Sequence, residues 1–306
     1  MKILKIATRN SPLALWQAEH VKQQLIELHP DLSVELVSMT TEGDRFLDAP
    51  LIAVGGKGLF IKELEQALLN GEADIAVHSM KDVTIDLPDE LAMPVILKRE
   101  DVRDVFISNN YKQIEDLPDG AVLGTSSLRR QSQIKALRPG IELKDLRGNV
   151  GTRLRKLDDG EYDAIMLAAA GIIRLGLKER ITQLIPESVL LPAIGQGAIG
   201  IECRAGDTDV HELIAPLNDR ETSLCVETER AFSRRLFGGC QLPIAGQASI
   251  KGNEINLVGL VARIDGSEVI KSELSGDIEK CDDTGTTLAE NLLERGADEI
   301  LKELIH

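Results

Sequence analysis

The 306-residue chain is poor in aromatic side chains and has no surplus of positive charge. Aromatic residues make up 3% of the sequence, and 50 acidic against 35 basic side chains give a formal net charge of −15. Nucleic-acid binding needs an excess of Lys and Arg to neutralise phosphates, and binding of single strands also uses aromatic rings for base stacking. The composition therefore excludes a broad nucleic-acid-binding surface.

The chain also lacks the usual features of membrane, exported and metal-binding proteins. No run approaches the roughly 20 apolar residues of a membrane-spanning helix, and the first residues lead directly into a strand pattern rather than a signal peptide. The four cysteines form no Cys-x-x-Cys pair, and the five histidines show no paired ligand spacing. We therefore expect a cytoplasmic protein with no membrane association and no metal site.

Short apolar runs alternate with amphipathic helical stretches over the first two thirds of the chain, which predicts α/β structure with largely parallel sheets. The segments Ile3–Ser11 and Ala121–Arg130 both place Thr, Ser and Arg where a strand meets a helix. This similarity between the two segments predicts two similar lobes around one ligand cleft. The glycine-rich segment Leu191–Cys203 is a candidate for the crossover that returns the chain to the first lobe.

The pattern changes after about Asp219. A helix over Glu221–Leu236 is followed by alternating strands with hairpin signals at residues 251–253 and 265–267, and an amphipathic helix over Leu288–Leu304 closes the chain. This region predicts a small α+β domain with an antiparallel sheet.

The segment Thr125–Lys156 contains nine basic and two acidic side chains, a local charge of +7 inside an otherwise acidic chain. Its arginines lie near predicted strand-to-helix junctions, where helix N-termini already favour anions and guanidinium groups bind carboxylates or phosphates in pairs of hydrogen bonds. The segment predicts a site for a ligand with several negative charges. The alternative is a solvated basic face.

Lys81 and Asp82 follow directly on a predicted buried strand, Asp74–His78. Ligands of open α/β sheets bind outside the carboxyl ends of the strands. A carboxylate there can accept hydrogen bonds from ligand N–H groups, move a proton, or stabilise a developing cation. The alternative is a Lys-Asp surface turn, and we expect His78 to be a packed residue at the strand end.

Cys240 lies in Gly238-Gly239-Cys240, where two glycines allow close approach of the backbone to a ligand. We select it as the nucleophile or attachment point, although a lone cysteine is also commonly a small buried hydrophobe. Cys203 and Cys225 occupy apolar patterns and are expected in the core, whereas Cys281 is expected in a polar loop.

The segment Gly55–Gly58 lacks the spacing of a phosphate-binding loop. We predict instead a lid that carries one cation, Lys57.

Seven motifs, in order along the chain, resemble those of the porphobilinogen deaminase family. They begin at Ala7, Val54, His78, Gly124, Leu146, Leu191 and Gly238 and read ATRNSPLALWQ, VGGKGLF, HSMKD, GTSSLRR, LRGNVGTRL, LPAIGQG and GGCQ. The resemblance implies two periplasmic-binding-protein-like (type II) α/β lobes plus a small C-terminal α+β domain with an antiparallel sheet. The implied boundaries are residues 1–98 with 197–217, 102–193 and 220–306.

The family's reaction, which the resemblance implies for this chain, condenses four porphobilinogen molecules head to tail into hydroxymethylbilane and releases ammonia. It implies a dipyrromethane cofactor held by a thioether to Cys240, Asp82 as the catalytic carboxylate, and a monomer. The implied cofactor-binding residues are Lys81, Asp82, Thr125, Ser127, Arg129, Arg130 and Arg147, and the implied substrate-binding residues are Arg9, Ser11, Arg153 and Arg174.

Two other functions are weighed against this one. A two-lobed protein could bind an anionic ligand without catalysis, but the absent signal peptide and the Gly-Gly-Cys segment count against it. A cysteine-nucleophile acyl transferase would need a histidine base, and no histidine motif stands out as one.

Overall fold

The computed structural model describes residues 3–45, 58, 61–237 and 242–305. The strands are β1 (Ile3–Arg9), β2 (Ser33–Met39), β3 (Ile75–Ser79), β4 (Leu91–Ile96), β5 (Asp104–Ile107), β6 (Val122–Gly124), β7 (Glu142–Lys144), β8 (Ala164–Ala168), β9 (Gln183–Leu184), β10 (Ile199–Arg204), β11 (Ile244–Lys251), β12 (Glu254–Ala262) and β13 (Val269–Asp277). The helices are α1 (Pro12–Leu28), α2 (Glu42–Arg45), α3 (Lys62–Leu69), α4 (Leu128–Leu137), α5 (Val150–Asp158), α6 (Ala169–Arg174), α7 (Thr208–Ile214), α8 (Arg220–Arg235), α9 (Cys281–Leu292) and α10 (Asp298–Ile305). Within the described ranges, none of these helices is both long and apolar enough to span a membrane.

The contacts divide the chain into two compact units, residues 1–100 with 198–223 and residues 101–197 with 224–306. The three-domain boundaries expected from the sequence therefore stay a prediction, because the C-terminal sheet falls in the same unit as the second lobe.

The first unit contains a five-stranded sheet in the order β2-β1-β3-β10-β4. β1 pairs in parallel with β2 and β3, whereas β10 runs antiparallel to both β3 and β4. The predicted return of the chain after the second lobe is thus confirmed, since β10 inserts into the first sheet. Apolar side chains of β1, β3 and β10 pack against α1 on one face of this sheet.

The second unit contains a sheet in the order β7-β6-β8-β5-β9. β6 pairs in parallel with β7 and β8, and β5 is antiparallel to β8 and β9. The first-lobe order recurs strand for strand, with β6 in the place of β1 and β5 in the place of β10. The predicted repeat is therefore present in the topology, but each sheet is mixed rather than largely parallel.

The C-terminal part of the second unit is a three-stranded antiparallel sheet, β11-β12-β13, whose hairpins turn at the two predicted positions. Its core joins Phe232 of α8 to Leu257 of β12 and Leu288 of α9. The space for Phe232 depends on Gly259, because a Cβ there would lie 2.6 Å from the ring. These contacts confirm the predicted α+β architecture.

Two local predictions in this region are wrong. Cys281 does not lie in a polar loop: it is the first residue of α9 and is only 7% exposed, with Sγ donating to the carbonyl of Ile278 at 2.8 Å. The closing helix begins at Cys281 rather than Leu288, and it bends at Gly296, whose φ is +98°. Cys203 and Cys225 are buried, as expected.

Candidate active site

A pocket in the first unit forms where β1 ends and α1 begins. Ser11 is the residue before α1, and its side chain accepts a hydrogen bond from the amide of Ala14 at 3.3 Å, while Pro12 occupies the first turn. A hydroxyl cap followed by proline is the sequence signal for such a helix start. This junction places Arg9 and Ser11 at the edge of the pocket.

Asp82 reaches the same pocket from the end of β3, through one 3-10 turn at Met80–Asp82. The amide of Met80 donates to the carbonyl of Ala198 at 3.0 Å, which fixes the start of this turn. The structure therefore brings together Arg9, Ser11 and Asp82, three predicted site residues from two distant motifs. The described residues that line the pocket are Arg9, Ser11, Leu13, Ala14, Gln17, Ile61, Val77, His78, Ser79 and Asp82.

Gln17 and Ser79 are members of this pocket that the sequence prediction missed. Gln17 is 2% exposed, and its Nε2 donates to Oγ of Ser79 at 2.8 Å. Buried amides are normally hydrogen-bonded, so a glutamine between Ala14 and Ala18 on the apolar face of α1 was the signal available in the sequence. The pair joins α1 to the end of β3.

Arg129 and Arg130 of the second unit converge on one carboxylate, that of Asp104. Arg129 Nη1 lies 2.7 Å from Asp104 Oδ2 and Arg130 Nη2 lies 2.7 Å from Oδ1, and all three side chains are buried. Burial alone would raise the pKa of Asp104, but the charges and hydrogen bonds of the two arginines outweigh it and hold this pKa well below its usual range. Two guanidinium groups and one carboxylate leave a buried net charge of about +1, since arginine stays protonated.

The turn before β10 adds further groups to this cluster. Gln196 Nε2 donates to Asp104 Oδ1 at 3.1 Å, and Arg174 Nη2 donates to the carbonyl of Gly197 at 2.6 Å. Asp104 and Gln196 were not predicted as site residues. Asp104 opens an apolar strand, and a charged residue at 0% exposure is the kind of position that requires a partner.

The structure divides the basic segment rather than presenting it as one surface. Arg138 donates to three backbone carbonyls, those of Ile114, Glu115 and Leu117. Lys135 donates to the carbonyl of Ile141 at 2.7 Å, and Lys144 lies 4.9 Å from the centre of the Tyr162 ring. These three cations hold the lobe together, so the +7 total overstates the charge available to a ligand.

Arg147 and Arg153 flank the N-terminus of α5. Asn149 caps this helix by accepting from the amide of Thr152 at 2.9 Å, and Nε of Arg153 donates to the carbonyl of Gly148 at 2.7 Å. Gly148 has φ of +113°, a conformation that favours glycine. Both arginines are partly exposed at a helix start, an arrangement that suits an anion.

Thr125 and Ser127 occupy the matching junction between β6 and α4. Thr125 is buried, and its Oγ1 accepts a hydrogen bond from the amide of Ser127 at 3.3 Å. Ser127 precedes α4 without capping it through its side chain.

Of the remaining predicted site residues, Lys81 is partly buried beside Asp82. Lys57 and Cys240 lie outside the described residues.

The donor set of the second unit fits a ligand with several carboxylates. Nε of Arg129 is buried and has no hydrogen-bond partner among the described residues. A buried N–H without a partner is costly unless a ligand satisfies it. The buried surplus of positive charge points to an anionic partner.

The two sheets share one strand order, in which three parallel strands at one edge are followed by an antiparallel strand. This order defines two periplasmic-binding-protein-like lobes of type II. The predicted fold class is therefore confirmed.

Comparison with protein-family models shows to which family within this fold class the chain belongs. The model described as "Porphobilinogen deaminase, dipyromethane cofactor binding domain" matches residues 4–212, and "Porphobilinogen deaminase, C-terminal domain" matches residues 223–294.

The chain belongs to the porphobilinogen deaminase family. It is accordingly a transferase of tetrapyrrole biosynthesis that condenses porphobilinogen into hydroxymethylbilane, with a domain for the dipyrromethane cofactor. The resemblance carried by the seven sequence motifs is thus confirmed for the family, the reaction and the cofactor.

Several solved structures resemble the chain over about two thirds of its length. The periplasmic VFT2 domain of BvgS from Bordetella pertussis is 16% identical, with 70% of this chain and 85% of that chain covered and a TM-score of 0.42. A putative methionine-binding lipoprotein from Bacillus subtilis is 15% identical, with 70% and 88% covered and a TM-score of 0.44. A nutrient binding protein from Burkholderia cenocepacia bound to methionine is 14% identical, with 69% and 89% covered and a TM-score of 0.44.

Proposed function

We propose that Asp82 is the catalytic carboxylate of this deaminase and that Arg9 and Ser11 bind carboxylates of porphobilinogen beside it. The observation that carries the proposal is the pocket of the first unit, which joins these three side chains from separate motifs. Departure of ammonia from the aminomethyl group leaves positive charge on the pyrrole. A nearby fixed carboxylate stabilises that charge and accepts a hydrogen bond from the pyrrole N–H.

The arginines of the second unit hold carboxylates in this proposal. Each pyrrole unit carries two of them, and in this proposal they are bound by Arg129, Arg130, Arg147, Arg153 and Arg174 together with Thr125 and Ser127. Lys81 of the first unit is proposed to bind a carboxylate as well. The buried Nε of Arg129 supports this role. When bound through Cys240, the dipyrromethane group supplies the pyrrole position to which substrate is joined and keeps the growing product attached.

Intact-mass measurement of the denatured protein tests the attachment. We expect the purified chain to carry the added mass of two linked pyrroles, and we expect Cys240→Ser to lack it. A bare-polypeptide mass in active wild-type protein would refute the covalent attachment to Cys240.

Asp82→Asn tests the catalytic role in the same preparation. Loss of one preorganised electrostatic group typically lowers kcat by about 10²–10³-fold, so we expect ammonia release to fall by that amount while the fold is retained. The matched control is Asp89→Asn, which removes an exposed carboxylate seven positions further on. Near-normal turnover in Asp82→Asn would remove that residue from the role.

The same proposal places the enzyme in the cytoplasm as a monomer. Light scattering coupled to gel filtration gives the oligomeric state directly, and a dimer mass would contradict the proposed monomer.

Lys57 is proposed as the cation of a lid over the substrate.

A further inference from the structure

A buried acid–base pair lies beside the Asp82 pocket in the first unit. Nε2 of His78 is 2.9 Å from Oε2 of Glu202, and the two side chains are 3% and 1% exposed. His78 lies opposite Gly200 in the β3–β10 pairing, and Glu202 lies opposite Ala76. Paired residues of an antiparallel ladder project to the same face, so the contact is a diagonal link between the two strands.

His78 is one wall of the pocket that contains Asp82. Because a carboxylate only accepts hydrogen bonds, Glu202 selects the ring form with hydrogen on Nε2. In the neutral ring Nδ1 is then the remaining acceptor. The hydrogen bond to Glu202 thus fixes one orientation of the His78 ring beside the pocket.

Charged groups of α3 and of the pocket lie near the His78–Glu202 pair. Helix α3 contributes Glu65 and Lys62, and the pKa of Glu65 is raised by burial and then by the charge of Glu202, against the opposing effects of His78 and Lys62. Arg9 and Asp82 line the pocket that His78 borders. Oε1 of Glu202 is buried and has no hydrogen-bond partner within the described ranges, so His78 is the partner that offsets its burial.

Strand β10 supports the Asp82 turn in two further ways. The carbonyl of Ala198, just before β10, accepts from the amide of Met80, and a Cβ on Gly200 would lie 2.3 Å from the sulfur of Met80. The glycine therefore lets the turn that begins at Met80 pack directly on β10. All three contacts act within four residues of Asp82.

We propose that Glu202 is a positioning residue for the deaminase reaction, which acts by holding the His78 ring as a fixed wall of the Asp82 pocket. The inference rests on the proposed function of that pocket. Glu202 does not touch the substrate in this proposal, and its effect reaches the reaction through His78 and the turn that follows it.

Glu202→Leu, which leaves no acceptor for Nε2 of His78, and His78→Gln test the proposal without removing bulk from the core. A displacement of about 1 Å in a positioned group can lower the rate by about 10²-fold, so we expect kcat to fall at least about tenfold in both. KM should stay within about twofold, because the substrate-binding arginines are untouched. Glu63→Gln, which removes a carboxylate of α3 that accepts from the amide of Glu42, is the matched control with normal kcat.

A double variant separates positioning from structural support. Replacing both partners of a buried polar pair by apolar groups of similar shape can be nearly neutral for stability. We therefore expect His78→Phe with Glu202→Leu to recover the melting temperature lost by Glu202→Leu alone, whereas kcat stays low. Recovery of kcat together with stability would overturn the proposal, as would normal kcat in His78→Gln.

The kcat values of the variants distinguish a failure of this inference from a failure of the proposed function of the pocket. If Asp82→Asn releases ammonia at a near-normal rate, the proposed function of the pocket fails. If Asp82→Asn loses turnover but Glu202→Leu matches the control variant in kcat, the function of the pocket stands and the positioning role fails.

Discussion

The partners of individual side chains decide what the arginine-rich segment can do. The composition of Thr125–Lys156 predicts a cationic region, and the structure places Arg129 and Arg130 around Asp104. That partner lies 25 residues before Arg129 in the chain, at the start of an apolar strand. Spacing along the sequence could not pair them, because their proximity depends on β5 lying beside β8 in the sheet.

Asp104→Asn is expected to destabilise the second unit strongly. Breaking a buried ion pair by removing one partner typically costs about 3–5 kcal/mol, because the remaining charges stay buried and uncompensated. The folded-state pKa of Asp104 is lowered, so its stabilisation is fully present above the unfolded-state value of 3.8 and is lost as the pH falls toward the folded-state value.

The measurement is urea unfolding of both proteins as a function of pH. The difference in unfolding free energy should be constant from about pH 8 to pH 5 and should shrink only below about pH 4. Asp119→Asn, at an exposed position of the same lobe, should match the wild type. A difference that already shrinks between pH 7 and pH 5 would contradict this account of the ion pairs.

At the level of helices and strands, hydrophobic periodicity predicted most elements of both lobes. The strand-to-helix junction at Ser11 lies where the hydroxyl and proline signals place it. Strand direction was harder to predict, because β5 and β10 are buried on both faces and an apolar run is the same for parallel and antiparallel pairing. The start of α9 was missed because its first turn, from Cys281, is rich in polar residues.

Two helical glycines give opposite predictions for the same substitution. A Cβ at Gly285 in α9 would lie 2.4 Å from the backbone carbonyl of Thr228, whereas at Gly151 in α5 the nearest atom is 3.5 Å away. We expect Gly285→Ala to destabilise by about 1–3 kcal/mol through overpacking. Gly151→Ala should instead stabilise by up to about 1 kcal/mol, the difference in helix propensity.

Thermal and chemical unfolding of the two variants provide the comparison. Equal shifts of the same sign would mean that propensity alone governs both positions and that α9 does not pack on α8 as closely as described.

For the whole molecule, the net charge of −15 gives little information until it is divided by position. The sequence locates a basic segment, but three of its cations stabilise the lobe through carbonyl and ring contacts. The pocket around Asp82 was predicted in part, since the motifs supplied Arg9, Ser11 and Asp82. Gln17, Ser79 and Glu202 were missed, because each acquires its role from a partner more than 60 residues away.

Weakening a contact inside the second unit should raise hydrogen exchange throughout that unit. Glu229 of α8 accepts from the amide of Gly195 at 2.7 Å and from the amide of Ala248 at 2.9 Å, so one carboxylate joins the turn that carries Gln196 to β11. Glutamine offers one acceptor oxygen in place of two, which leaves a buried amide unpaired at a cost of about 1–3 kcal/mol. We therefore expect Glu229→Gln to raise hydrogen exchange in both β8 and β11.

Exchange in β1 and β3 of the first unit should stay at the wild-type level, because the Glu229 contacts described above lie inside the second unit. Glu273→Gln, at an exposed position of β13, serves as the control. Faster exchange confined to β11 would mean that the C-terminal sheet opens independently of the lobe. That outcome would favour the three-domain division over the two units, since shared cooperativity is the physical content of a compact unit.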